Sequence, residues 1–92
     1  MIFDYTGIVQ LVPTTISGEV VNGQAGLPVC VAHIYIRCGR EEAITGRSGQ
    51  YSLLTWQPLP VILTIAHWQY ELLTVVITEE AGAQTIQLQP VL

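Results

Sequence analysis

The stretch Gly26-Leu27-Pro28-Val29, Ala32-His33-Ile34-Tyr35-Ile36 and Thr45-Gly46-Arg47-Ser48-Gly49-Gln50-Tyr51-Ser52-Leu53 decides the fold. Ala32, Ile34 and Ile36 alternate with His33, Tyr35 and Arg37, the period of two that marks a strand with one buried face. Thr45 to Gly49 is a turn. Gly49 predicts a backbone conformation closed to other residues, and Tyr51 and Leu53 then return bulk to the core at period two.

Outward from this stretch the pattern repeats. Thr14 to Val21 is β-branched and alternating, with Ile16, Gly18 and Val20 on one face, and closes on the turn cluster Asn22-Gly23-Gln24-Ala25-Gly26. Val29 to Cys38 reads as the clearest strand, Gly39-Arg40-Glu41-Glu42 as a charged turn, and Ala43-Ile44-Thr45 as a short strand. Gln50 to Trp56, Val61 to Ala66, Leu72 to Thr78 and Ala83 to Gln89 follow. The breaks are Gln57-Pro58-Leu59-Pro60, His67 to Glu71 and the turn Glu79-Glu80-Ala81-Gly82. Ile8 to Val12 adds an N-terminal strand or arm within residues 1–13. Short strands at intervals near 8–12 residues, with no helical period, predict an all-β sandwich or barrel. The 92 residues form one domain with a core from about 14 to 89.

Composition narrows the function. Half the residues are hydrophobic and only 11% are charged, against about 25% in soluble domains. A chain this small cannot bury all of that apolar material, so part of it forms a contact surface. There is no lysine, and the net charge is −4. That excludes nucleic acid, which requires clustered cations, and disfavours anionic membrane surfaces. No apolar stretch predicts membrane insertion. Met1 to Tyr5 shows no signal-peptide pattern.

Reactive side chains are few. Cys30 and Cys38 would lie about 26 Å apart on one continuous strand, so they predict free, buried or half-buried thiols rather than a disulfide. A metal site would need His33 and His67 to converge with a carboxylate such as Glu71. His33 reads instead as a half-packed surface histidine, and no cofactor or metal is expected. No nucleophile elbow or phosphate loop occurs. Glu41-Glu42 and Glu79-Glu80 fall at turns, where charge is solvated. The aromatic residues Trp56, Trp68, Tyr35 and Tyr70 are the candidate ligand or partner contacts, since aromatic rings anchor proteins and stack on sugars.

Gly26-x-Pro28-Val29-x-x-Ala32-x-Ile34-x-Ile36 resembles the G-x-P-L-x-G-A-x-V-x-I stretch of carboxypeptidase regulatory-like domains, and Thr45-Gly46-Arg47-Ser48-Gly49-x-Tyr51-x-Leu53 is similar to their T-D-x-x-G-x-Y/F-x-L turn. The resemblance runs from about Ile16 to Leu88. It departs at Gly46, where the family has Asp, and at Gln69, where it has Gly. It implies a seven-stranded antiparallel Greek-key β-sandwich of the transthyretin-like, or prealbumin-like, type. It also implies a non-catalytic accessory module with a structural or protein-interaction role in a cell-envelope or secreted protein, and hence an extracytoplasmic setting. The partner would be a neighbouring domain, another protein or a second copy in a homo-oligomer. The alternative is a carbohydrate-binding module using Trp56 and Trp68. A third reading, an enzyme of the hydroxyisourate-hydrolase type, lacks the C-terminal Tyr-Arg-Gly-Ser motif, since the chain ends Gln89-Pro90-Val91-Leu92.

Overall fold

Alternating burial builds two sheets in the computed structural model, which describes residues 12–78 and 84–91. The strands are β1 (Thr14–Asn22), β2 (His33–Arg37), β3 (Glu41–Ile44), β4 (Gln50–Thr55), β5 (Val61–Ala66), β6 (Leu73–Ile77) and β7 (Gln84–Leu88). One sheet has the order β4-β1-β7 and the other β3-β2-β5-β6. The expected arm before Val12 and the turn at Glu79–Gly82 lie outside the described residues. No helix among the described residues is long and apolar enough to cross a membrane.

The core is the sum of the inward faces. Ile16 and Val20 of β1, Tyr51 and Leu53 of β4, and Ile86 and Leu88 of β7 come from one sheet. Ile34, Val61, Leu63, Ile65 and Ile77 come from the other, with Ala32 and Val29 at the rim. Leu63, Ile65 and Ile34 are fully buried. This is a β-sandwich-like arrangement in which period-two patterning decides which side chains leave water.

Gly18 lets the three-stranded sheet close. It lies opposite Tyr51 on β4 and opposite Gln84 on β7. A Cβ there would run into the Gln84 backbone and the Tyr51 hydroxyl. The Tyr51 hydroxyl lies against the glycine, buried without a hydrogen-bond partner, and burial pushes its pKa up.

Three expectations change. The fully antiparallel reading holds for β3-β2-β5-β6 and for β1–β4, but β1 and β7 run parallel, from Gly18 opposite Gln84 to Asn22 opposite Leu88. The long strand expected from Val29 to Cys38 begins only at His33, because Val31 has φ 63° and breaks the extended run. The charged turn is shorter than expected, since Glu41 and Glu42 belong to β3.

Thr45 holds the distorted segment in place. Its hydroxyl donates to the Val29 carbonyl and accepts from the Ala32 amide, both at 2.8 Å. Its amide donates to the Ala32 carbonyl at 2.9 Å, and its carbonyl accepts from the Val31 amide at 3.0 Å. Val31 is 62% exposed, so packing does not compensate its backbone. A β-branched residue in the left-handed region is strained by about 1–2 kcal/mol. Val31→Asn is therefore expected to raise stability by about 1 kcal/mol, read as a higher urea midpoint with an unchanged slope. An unchanged or lower midpoint would show that the backbone there is unstrained.

Glu41 links the two sheets at the opposite end. Its carboxylate accepts from the Thr55 hydroxyl at 2.7 Å and from the Trp56 amide at 2.8 Å. Partial burial pushes its pKa up, but the Trp56 amide, the Thr55 hydroxyl, the Gln57 side chain and the Arg37 charge outweigh that and hold it below the ordinary value. Thr55 is fully buried, so Glu41→Ala leaves its hydroxyl proton without an acceptor, while the oxygen still accepts from the Gln57 amide at 3.0 Å. The expected cost is about 1 kcal/mol in chemical denaturation, and a change within a few tenths would refute the link.

Candidate functional site

The connection between β5 and β6 is irregular backbone that the C-terminal segment fastens down. Tyr70 bridges to Pro90, the Glu71 amide donates to Gln89 at 2.8 Å, and the Val91 amide donates to Gln69 at 3.1 Å. Asn22, at the end of β1, donates from Nδ2 to the Tyr70 hydroxyl at 3.2 Å. The connection is therefore anchored by two elements, the C-terminal segment and the end of β1. Gln69, the position that departs from the family's glycine, does not have a positive φ.

This anchored connection presents an aromatic shelf. The Gln69 amide donates to His67 Nδ1 at 3.1 Å, which fixes the ring. Trp68 stacks beside it with centroids 5.4 Å apart, and Tyr70 meets it edge-on at 5.1 Å. Trp68 is 79% exposed. In the same four-stranded sheet the pairing places Ile44, His33 and Ala66 in one cross-strand row. Shelf and row enclose a shallow cleft of about 420 Å³ lined by Val31, His33, Ala66, His67, Trp68, Tyr70 and Leu72. Val31, Ile44 and Leu72 are all exposed, so the rim is apolar.

A larger open hollow of about 680 Å³ lies beside β1, β3 and β4, lined by Ser17, Glu19, Gln50 and Tyr51 among others. It is the weaker site. Its one orphaned polar atom, the Tyr51 hydroxyl, is buried and out of reach of anything in the hollow. The rest of its wall mixes apolar Ala43 and Ile44 with polar Ser17, Glu19, Gln50 and Ser52, and it offers no cation or second aromatic ring.

The structure brings together three of the four predicted aromatics. Trp68 and Tyr70 line the cleft directly. Tyr35 reaches it through His33, with ring centroids 4.8 Å apart. Trp56 is elsewhere, 55% exposed and bound through its amide to Glu41, near the Arg37 end of β2. Trp68 is near the His33 end, about 13 Å away along the strand. The two tryptophans therefore form no common platform. Val31 and Leu72 were missed, and His67, considered only as a metal ligand, lines the cleft as an aromatic ring. Val31 gives no sequence signal, because a valine inside an apolar run reads as strand.

His33 and His67 border the same cleft, but Glu71 does not join them. His33 instead meets Glu42, with Nε2 2.6 Å from Oε1. The Glu42 carboxylate also accepts from the Gly39 amide at 3.2 Å. The His33 hydrogen bond, chiefly, and the Gly39 amide hold the Glu42 pKa down. Cys30 and Cys38 are free but exposed, a correction to the buried thiols expected. The late start of β2 after the left-handed Val31 and a bulge in β2 leave both side chains facing outward.

No family model matches the chain, and no curated protein matches it.

Proposed function

We propose that this chain is a non-catalytic accessory module that docks a protein partner through the outer face of its four-stranded sheet, at the cleft end. The supporting observation is the contrast between the two outer faces. The three-stranded sheet turns out mainly polar side chains, Thr15, Ser17, Glu19, Ser52, Thr85 and Gln87, with Leu54 as its exposed large hydrophobic. The four-stranded sheet turns out Ile44, Ile62 and Val76, and Val31, Trp68 and Leu72 continue the apolar surface round the cleft. An apolar rim around an anchored tryptophan at the cleft end, with Ile62 and Val76 set apart beyond the Thr64–Thr74 pair, has the composition of an interface core.

The same proposal includes the carboxypeptidase regulatory-like, transthyretin-like sandwich and its extracytoplasmic setting. Support for the Greek key is that the β2–β3 hairpin leaves for the second sheet before β4 returns beside β1. The partner form to test is a second copy of the chain. Sedimentation velocity from micromolar to millimolar concentration is expected to show association, abolished in Trp68→Ala/Leu72→Lys at an unchanged thermal midpoint. A native chain that stays at 10.1 kDa throughout overturns self-docking.

The exposed Trp68 stacked beside His67 supports a second reading, carbohydrate binding at the shelf. It requires a tryptophan fluorescence change on a glycan panel that Trp68→Ala removes and Trp56→Ala leaves. Silence across the panel rejects it.

A further inference from the structure

The β2–β3 hairpin carries a feature that simple alternation does not reveal. If alternation ran unbroken along β2, His33, Tyr35 and Arg37 would share a face and Cys38 would lie on the other. The register shows otherwise. Tyr35 is opposite Glu42, yet Arg37 is opposite Glu41, so one extra residue is bulged between them. A bulge reverses the side-chain parity beyond it. Arg37 is thereby brought toward Glu41, whose pKa it helps to lower. Cys38, one residue on, joins the side that carries His33 and Glu42. One ligand atom from each of His33, Cys38 and Glu42 lies within 4.8 Å of the other two.

We infer that His33, Cys38 and Glu42 form a binding site for a thiophilic divalent transition-metal ion of the zinc class. Imidazole nitrogen, thiolate sulfur and carboxylate oxygen are the three donor types that zinc takes, and three protein ligands leave a fourth position for water. In a tetrahedral site with bonds of about 2.0–2.3 Å, neighbouring donor atoms stand about 3.3–3.7 Å apart. The 2.6 Å contact between His33 and Glu42 must open by about 1 Å, and the widest separation, up to 4.8 Å, must close by about 1–1.5 Å. Side chains at a hairpin end can make both adjustments.

The setting favours this. His33 and Glu42 stand diagonally across two paired strands, so the backbone fixes their approach. The Gly39 amide holds the Glu42 carboxylate in place, and Tyr35 packs on the His33 ring. The turn presenting Cys38 is closed by the Arg40 amide donating to the Arg37 carbonyl at 2.9 Å, with Gly39 at φ 84°. On binding, Cys38 loses its thiol proton to solvent as the metal–sulfur bond forms. Nε2 gives up its hydrogen bond to Glu42 and presents its lone pair, with the ring proton on Nδ1.

The test is titration of the whole chain with Zn²⁺ by calorimetry in a non-thiol reductant, paired with Co²⁺ absorption. One Zn²⁺ per chain is expected, and a near-ultraviolet thiolate-to-cobalt band with tetrahedral visible bands. Cys38→Ser should abolish the thiolate band and weaken Zn²⁺ binding at least tenfold, and Glu42→Gln should weaken it too. Cys30→Ser should behave as native. All these side chains except His33 are exposed, and circular dichroism checks that each variant folds. Native protein that takes up no Zn²⁺ at millimolar metal, or Cys38→Ser that binds as tightly as native, overturns the site. A cobalt complex without the thiolate band overturns it as well. None of these readouts depends on association through the cleft.

Discussion

Gly49→Ala is expected to cost about 3 kcal/mol, a large share of the roughly 5–14 kcal/mol that a domain of this size has in total. Two effects add. Gly49 has φ 79°, where an L side chain costs about 1–2 kcal/mol. A Cβ there would also press on the Val20 carbonyl and lie 3.2 Å from Pro28 Cβ and 3.3 Å from the Val29 nitrogen. The Val20 carbonyl cannot simply retreat, because it accepts from the Val29 amide at 2.9 Å, while the Val20 amide donates to Gly49 itself at 2.8 Å. The turn, β1 and the entry to β2 would have to shift together. Urea unfolding at neutral pH measures this. Gly46→Ala is the control, since a Cβ there meets nothing and φ is not positive. If Gly49→Ala costs no more than Gly46→Ala, the close approach is wrong.

Thr45→Val is the second large effect, at about 2–4 kcal/mol. Valine keeps the shape but removes the hydroxyl that bonds both the Val29 carbonyl and the Ala32 amide. Thr45 is buried, so water does not replace it, and each stranded polar group costs about 1–3 kcal/mol. Thr45→Ser keeps the hydroxyl and should recover most of the loss. Equal losses in the two variants would mean that methyl packing, not hydrogen bonding, matters at this position.

These two residues show what was legible in the sequence and what was not. Gly49 followed by Tyr51 and Leu53 predicts the turn and the inward face of β4, and both are found. The range Val61 to Ala66 coincides with β5, because apolar β-branched residues bounded by Pro60 and His67 admit little else. Val29 to Cys38 misled. Its alternation is genuine, but Thr45 holds the backbone on either side of the left-handed Val31, its carbonyl taking the Val31 amide and its hydroxyl bonding Val29 and Ala32, and these bonds span 13 to 16 residues. Local patterning cannot register a partner that distant. The bulge after Tyr35 hid Cys38 in the same way, because alternation assumes that parity never slips. The direction of β7 relative to β1 was also illegible, since a buried face looks the same in parallel and antiparallel pairs. Of the candidate site, the aromatic residues were readable as types, while the separation of Trp56 from Trp68 followed only from topology.

The parallel pairing of β1 with β7 bears on how the domain responds to load. Tension applied through Thr14 and Leu88 pulls the two paired strands in opposite directions along their shared length. The evenly spaced ladder of a parallel pair is then loaded in shear, with its hydrogen bonds sharing the force instead of parting one at a time as in a peeled hairpin. A mechanical clamp is thus set between the first and last of the described strands, and Gly18, where a Cβ would meet the Gln84 backbone, lets them close.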